Sequence, residues 1–339
     1  MSFSRYFQVI LLVIVLSQCS SSPLDVDVSN VDTKYASRRF DVPLFDTEKA
    51  NSPDYYQDLY QNYGPFFAAF IEDIVQLGPI NDPNTAEALQ RFTKDPTVLE
   101  LQTAIDNAHG ERYENYDRQL KDAFRHYAYY FGDSAPEVIY YNSGLNFAVY
   151  PGDSHLGVGL DFYLGPNHEI VQNLPPDVFP QYFRDKMDPN YLVADAVKGW
   201  LLVRHQNLMD QSNLLGQIMY YGKIMYLMDA CMPNTPDHLK MTYSEFELAW
   251  AEANESGVWR QLADEKVLYE IRSFEINKWV QDGPFTNAGE IPQESPARLG
   301  IWIAWQIVRD YMEKNPEVTL PALLEETDYQ EIMRFYRPG

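Results

Sequence analysis

The chain has 339 residues, of which 45% are hydrophobic, so it is long enough to fold around a sizeable core and is not a disordered protein. Lys and Arg number 26 against 49 Asp and Glu, and the resulting formal net charge of −23 repels the phosphate backbone of nucleic acids. We therefore expect no nucleic-acid partner and no attraction to anionic lipid surfaces.

The N-terminus carries a short apolar segment that is typical of a signal peptide. One basic residue, Arg5, precedes an apolar run over residues 9–16, which is too short to span a bilayer. Residues 16–19, Leu-Ser-Gln-Cys, resemble a bacterial lipobox, in which the cysteine becomes the acylated first residue of the mature chain. We predict a signal peptide over residues 1–18 and acylation of Cys19; the alternative is an ordinary secretory signal with an incidental cysteine.

The residues after Cys19 are polar and acidic, and they lack a periodic apolar face. We interpret residues 19–37 as an acidic flexible tether and residues 38–339 as a single domain. Cys231 is the only other cysteine of the chain, so the processed protein has no intramolecular disulfide.

Apolar residues at spacings of three and four predict helices along most of this domain. The predicted helices cover residues 55–77 (with an interruption at Gly64-Pro65), 84–92, 96–108, 114–131, 188–207, 213–230, 242–254 and 259–274. A last long helix is predicted to begin with a cap at Ser295-Pro296, and its small residues Gly300 and Ala304 indicate a close helical neighbour.

Residues 136–165 change to the period-two alternation of strands. Residues 137–141 and 145–150 predict the two strands of a hairpin around Asn142-Ser143-Gly144, and residues 156–163 predict a third strand. We expect an α+β fold that is mainly helical, with a small sheet of three to four strands.

The sequence contains no complete motif of a zinc hydrolase, a serine hydrolase or a phosphate-binding loop. The six histidines include no pair at the H-E-x-x-H spacing of a helical zinc site, and the nearest run, His168-Glu169 to Gln172, lies in a proline-flanked loop. Nucleophile-elbow and phosphate-loop motifs are also absent from the sequence. Asp161 and Asp195 are the polar groups of most interest, and a structural hydrogen bond is the favoured interpretation of each.

Several motifs together resemble the gliding motility lipoprotein GldB family of gliding Bacteroidetes. They are the lipobox, Arg39-Phe40-Asp41, the run LGVGLDFYLG over residues 156–165, Tyr221-Gly222-Lys223, residues 294–300, and Trp302-x-x-Trp305-Gln306-Ile307-Val308. The resemblance covers nearly all of the mature chain. It implies a cell-envelope lipoprotein that is required for gliding and is associated with the motility and type IX secretion machinery.

This family is also similar to predicted zinc-dependent peptidases, which implies a zincin-like, degenerate metallopeptidase core. The resemblance places the run from Ala194 to Lys198 where H-E-x-x-H would stand, and Tyr221 where the later glutamate ligand precedes a glycine. An alanine, a valine and a lysine cannot hold zinc, so we expect a protein without a metal, a cofactor or an enzymatic activity.

The leading hypothesis is therefore a non-catalytic envelope lipoprotein that acts through protein contacts. Candidate contact residues are Asp161, Asp195, Lys198 and Tyr221, around a cleft between the helices that start near Asp188 and Asn213. The alternatives are a lipid-anchored zinc peptidase with an atypical ligand set, and a surface glycan-binding lipoprotein suggested by the 25 tyrosines. By resemblance, Ser20 after the acylated cysteine implies the outer membrane, on its periplasmic side rather than the cell surface.

Overall fold

The computed structural model describes residues 24–46 and 55–339, and this part of the chain forms a mainly helical α+β fold with one four-stranded sheet. The strands are β1 (Ala36–Arg39), β2 (Glu137–Tyr141), β3 (Val149–Pro151) and β4 (His155–Gly159). The helices of eight or more residues are α2 (Tyr55–Ala69), α3 (Pro83–Lys94), α4 (Pro96–His109), α5 (Tyr113–Phe131), α8 (Leu192–Arg204), α9 (Leu214–Cys231), α11 (Glu245–Leu262), α13 (Ser273–Val280) and α14 (Leu299–Lys314). The shorter ones are α1 (Asp41–Leu44), α6 (Glu169–Gln172), α7 (Gln181–Arg184), α10 (Asp237–Met241), α12 (Glu265–Leu268), α15 (Leu320–Glu325) and α16 (Tyr329–Met333).

The sheet has the strand order β1-β2-β4-β3, and it is mixed. β1 and β4 both run parallel to β2, whereas β3 runs antiparallel to β4. The predicted hairpin between residues 137–141 and 145–150 is therefore wrong, because β4 lies between β2 and β3. The hairpin of this sheet joins β3 to β4 instead.

The predicted third strand is correct only for its first half. β4 ends at Gly159, and residues Leu160–Tyr163 form a 3₁₀ helix in which all four side chains are buried. The alternation of apolar and polar residues continues past Gly159, but there it does not distinguish a buried face from an exposed one. Gly159 itself is required, since a Cβ there would lie 2.1 Å from the carbonyl oxygen of Phe147.

The sheet separates two hydrophobic cores. Val138, Tyr140 and Leu156 face the large core, which is built mainly from α5, α8, α9 and α14. Ile139 and Tyr141 face a smaller core made largely of phenylalanines from α2 and the π-helical turn Phe70–Ile74 that continues it. Most aromatic residues in the described part of the chain are thus either buried in these cores or packed against them.

The N-terminal segment is more ordered than a flexible tether. Val28 and Thr33 are buried, and the backbone carbonyl of Thr33 accepts a hydrogen bond from Ala135. Ala36 and Ser37 already belong to β1 and pair with β2. The prediction of a tether over residues 19–37 is therefore wrong for residues 24–37, because alternate side chains of this stretch pack against the domain.

Three helix boundaries also differ from the predictions. The helix expected from residue 188 begins at Leu192, after a turn in which Asp188 accepts the backbone N–H of Asn190. The helices expected at 242–254 and 259–274 are one helix, α11, up to Leu262. α14 begins at Leu299 rather than at Ser295, because Thr286 holds the carbonyl of Pro296 in an extended loop.

Helices α9 and α14 form the centre of the large core. A Cβ at Gly222 would lie 2.6 Å from the backbone of Ala304, and one at Gly300 would lie 3.2 Å from Ile218. The close helical neighbour predicted from Gly300 and Ala304 is thus confirmed. Over residues 24–46 and 55–339, no helix combines the length and the apolar composition needed to cross a bilayer.

Candidate functional site

Two small cavities, each of about 180 Å³, adjoin α8. The first lies between α8 and the 3₁₀ helix after β4, and the second lies between α8 and α9. Lys198 and Arg298 line both of them, so these two cationic side chains separate one cavity from the other. The outer walls are mostly apolar and come from the 3₁₀ helix after β4 on one side and from α9 on the other. The cleft predicted from the sequence is therefore present, with Lys198 at its centre.

Lys198 is held by oxygen atoms from two directions. Its Nζ donates to the carbonyl of Lys240 at 3.1 Å and to the hydroxyl of Thr242 at 2.6 Å, and it lies 3.0 Å from a carboxylate oxygen of Asp195. Burial lowers the pKa of the Lys198 ammonium, the nearby Arg298 lowers it further, and Asp195 opposes both. A buried ammonium with oxygen partners is a fixed positive charge in this wall.

Asp195 stands one turn before Lys198 on α8. Its Oδ1 accepts a hydrogen bond from the Thr242 hydroxyl at 2.6 Å, and its Oδ2 accepts a weaker one from Tyr163 at 3.4 Å. Two of the predicted site residues, Asp195 and Lys198, are therefore brought together as an ion pair at i and i+3.

A second cation–carboxylate group completes the first cavity. Lys186 is paired with Asp282, and Arg298 lies 3.6 Å from the same carboxylate. Arg298 also donates to the backbone carbonyl of Met241 at 2.6 Å. Its Nε is buried and has no hydrogen-bond partner among the described residues. The lining of this cavity thus contains three cations and two carboxylates, whereas the whole chain is strongly acidic.

The backbone is strained at two residues that touch this group. Thr242 has φ +54° and Arg298 has φ +62°, and both values lie in the left-handed region that side chains with a Cβ rarely adopt. For a β-branched threonine this conformation is costly, on the order of 1–3 kcal/mol. The hydrogen bonds from Thr242 to Asp195 and from Arg298 to the carbonyls of residues 241 and 242 hold it in place.

Tyr221 lines the second cavity, which Lys198 of the ion pair also lines. It lines that cavity with Ile224 and Met225 of α9, and burial raises the pKa of its hydroxyl. Tyr221 of α9 and Lys198 of α8 therefore line the same small cavity.

Asp161 belongs to a different arrangement. Its fully buried carboxylate accepts hydrogen bonds from the hydroxyl of Ser143 at 2.7 Å and from the backbone N–H groups of Ser143 and Leu145. Burial raises its pKa to about 6 against the opposing effect of these donors. Asp161 fixes the loop that follows β2, so the interpretation as a structural hydrogen bond is confirmed.

The H-E-x-x-Q run also has a structural role. The ring nitrogen of His168 accepts the backbone N–H of Ile170 and caps the short helix α6, while the Gln172 amide donates to the carbonyl of Pro166. Within the described part of the chain, no group of three or more His, Cys, Asp or Glu side chains is arranged to hold a metal ion.

The first cavity has four lining residues that were not predicted as site residues: Lys186, Thr242, Asp282 and Arg298. They come from three separate loops and have no shared motif, so their convergence depends on the tertiary fold. A weak signal existed for Arg298, which lies within the run at residues 294–300 that carries part of the family resemblance. Cys19, the predicted acylation site, lies outside the described residues.

A family model described as gliding motility protein GldB matches residues 21–338. No curated protein and no solved structure matches the chain. Because the match spans nearly the whole sequence, the chain belongs to the GldB family, and membership implies a lipoprotein that takes part in gliding motility.

Proposed function

We propose that this protein is a lipid-anchored, non-catalytic component of the cell envelope that acts through contacts with the gliding and type IX secretion machinery. The observation that carries the proposal is the content of the α8–α9 cleft. Where a hydrolytic centre would need metal ligands or an activated nucleophile, the cleft presents a partly buried Asp195–Lys198 ion pair that is hydrogen-bonded to Thr242.

The arrangement of the cleft is consistent with a degenerate zincin-like core. α8 follows the sheet and its 3₁₀ helix, and α9 packs beside it, which is the helix order that the family resemblance implies. Ala194 is buried at the position of the first histidine, and the Lys198 ammonium occupies the position of the second. A fixed positive charge at that point repels a divalent cation, so loss of the metal follows from this replacement.

The anchor in this proposal is Cys19, which would carry the lipid on the periplasmic side of the outer membrane. Complementation of a deletion strain tests the anchor and the function together. We expect the wild-type gene to restore spreading on agar and Cys19→Ala to fail, while Ser20→Ala serves as the neighbouring control. Normal spreading of the deletion strain itself would refute the role in gliding.

The peptidase alternative is tested separately by metal analysis. We expect the gently purified full-length protein to contain zinc far below one ion per chain. A stoichiometric zinc content that is lost in Asp195→Asn or Lys198→Met would overturn the non-catalytic proposal, because those side chains could then be part of an unusual ligand set.

A further inference from the structure

A large open groove of about 990 Å³ is lined by the C-terminal parts of α5, α9 and α14 and by the loops that follow α9 and α14. Its floor is the ion network of Asp229, Asp237, Lys240 and Arg309. Arg309 binds both carboxylates through paired contacts of 2.6–2.9 Å, and Lys240 lies 2.7 Å from Asp229. The two cations balance the two carboxylates, so the floor is neutral and its geometry is fixed.

The rim of the groove has a different character. Glu313 and Glu317 line it and are exposed, so the lining carries two carboxylates beyond the neutral floor. Glu313 lies 3.5 Å from the exposed Lys314, a solvated pair that offsets its charge only in part. The walls also contain Tyr129, Tyr130 and Tyr226, whose ring faces attract cations. An apolar segment that carries Lys or Arg side chains complements such a surface better than an anionic or a purely apolar one.

The N-terminal segment ties this groove to the anchor. Leu24 and Val26 line the groove, and Leu24 is held there by a hydrogen bond from Tyr130 to its carbonyl at 3.3 Å. Five residue steps separate Cys19 from Leu24, and five steps of extended chain span at most about 18 Å. The tether predicted from the sequence, through residue 37, would have allowed about 60 Å.

This short distance restricts how the domain can lie on a membrane. A domain of about 300 residues has a radius of gyration of about 19 Å, so a leash of about 18 Å cannot reach around it. A lipid on Cys19 therefore holds the edge of the groove next to the bilayer. A long tether would have left every face of the domain free to approach it.

We propose that this groove docks a cationic, partly apolar segment of a protein that is itself embedded in or bound to the same membrane. The inference rests on the proposed function for the acylation of Cys19 and for the existence of an envelope partner. It names the chemistry of that partner and the surface that receives it, which is distinct from the α8–α9 cleft.

A peptide of alternating Lys and Leu tests the charge complementarity, with an alternating Glu and Leu peptide as the charge control. The probe is titrated against the acylated full-length protein in phosphatidylethanolamine vesicles. We expect the Lys–Leu peptide to bind about tenfold more weakly to the double variant Glu313→Lys, Glu317→Lys, which reverses the rim. The matched control is Asp177→Lys, Glu294→Lys, which makes the same change in net charge on exposed residues outside the groove.

Two results of the titration would overturn the groove as a docking site. Equal weakening in both double variants would mean that the peptide senses only the net charge of the protein. Unchanged binding in the rim variant would mean that the groove does not receive the peptide. In both cases the acylation of Cys19, checked by mass spectrometry on the same sample, decides independently whether the anchor of the proposed function is correct.

Lengthening the leash tests the placement at the membrane. A fluorophore on Tyr129→Cys, an exposed position of the groove, is measured for quenching by nitroxide-labelled lipid headgroups. We expect the quenching to fall when about 15 Gly and Ser residues are inserted between Ser22 and Pro23, because a flexible linker of that length adds a mean span of about 20 Å. The same quenching with both leashes would contradict the placement.

Discussion

Helix α9 packs more tightly against α14 than against α8. Toward α14 the helices touch backbone to backbone at Gly222, and Asp229 is bonded at once by Trp305, Arg309 and Lys240. Toward α8 the packing leaves one of the two small cavities, and Lys198 lies between it and the other. The same chemical groups, carboxylates with lysine and arginine, are used on both sides.

The difference lies in what surrounds the charges. The Asp229 network has no excess charge, and the paired contacts of Arg309 hold the pKa of Asp237 below its ordinary value. The Lys198 group has an excess of cations, a lysine whose pKa is lowered by burial, and a left-handed threonine. A charge-balanced network stabilises a fold, whereas retained backbone strain and an excess of cations are typical of a binding surface.

The largest expected effect on stability comes from breaking the hydrogen-bond and ion-pair network around Asp229. Asp229→Ala removes the shared partner of Trp305, Arg309 and Lys240, and it leaves two cations facing only Asp237. We expect the free energy of unfolding to fall by about 3–5 kcal/mol in denaturant titration. Glu313→Ala, on the exposed face of α14, is the control and is expected to change it by less than about 0.5 kcal/mol. Equal effects of the two variants would show that the network around Asp229 does not stabilise the fold.

The helix contact at Gly222 is next in size. Gly222→Ala places a Cβ 2.6 Å from the Ala304 backbone, which side-chain rotation cannot relieve. We expect a loss of about 3 kcal/mol in thermal or chemical unfolding. Gly257→Ala in α11 is the matched control, because a Cβ there meets nothing within 4 Å, and it should stabilise the protein by up to about 1 kcal/mol. A neutral Gly222→Ala would mean that α9 and α14 can move apart.

Lys223 of α9 makes the stability of the protein depend on pH. Its amine donates to the carbonyls of Leu324 and Glu326, and burial lowers its pKa to about 8 although Glu326 opposes the shift. Between pH 8 and the ordinary lysine pKa of 10.5, the unfolded chain binds more protons than the folded one, so stability rises with pH.

The size of this rise is about 2 kcal/mol, after allowance for partial access of water. We expect it to be absent from Lys223→Met, and the difference between the two proteins cancels the titration of the tyrosines. Parallel curves of unfolding free energy against pH for the wild type and the variant would contradict the assignment.

The smallest effect on stability, with the clearest effect on function, is expected in the cleft. Lys198→Met replaces a partly buried ammonium by an apolar chain of similar length, and Asp195 keeps its bond from Thr242. The pair is only partly buried and Arg298 remains nearby, so we expect the free energy of unfolding to fall by about 1–2 kcal/mol and spreading on agar to be lost. Lys278→Met, a lysine paired with Glu275 on α13, should leave spreading intact. Normal spreading with Lys198→Met would remove the cleft from the contact surface.

Much of the helical framework followed from local sequence. The predicted helix over residues 96–108 corresponds to α4, and the one over residues 213–230 corresponds to α9, with Asn213 as its cap. The small residues Gly300 and Ala304 predicted the close helix pair. These signals are readable because caps, apolar spacing and small residues act within one or two turns of the chain.

The sheet was less readable for a physical reason. Its central strands β2 and β4 are buried on both faces, so alternation does not separate an inner from an outer side. In β4 the alternation also continues into the 3₁₀ helix at Leu160. The order of the strands depends on β4 entering between β2 and β3, which the hairpin-like Asn142-Ser143-Gly144 turn does not indicate.

The sequence by itself determined the acidic charge and the positions of most helices, and its motifs indicated the family. The tertiary structure alone decided that Lys186, Thr242, Asp282 and Arg298 meet Lys198, and that Leu24 lies against the groove. Local patterns report the preference of each segment for a conformation. Contacts between loops that are distant in the chain depend on how those segments pack, and no single segment carries that information.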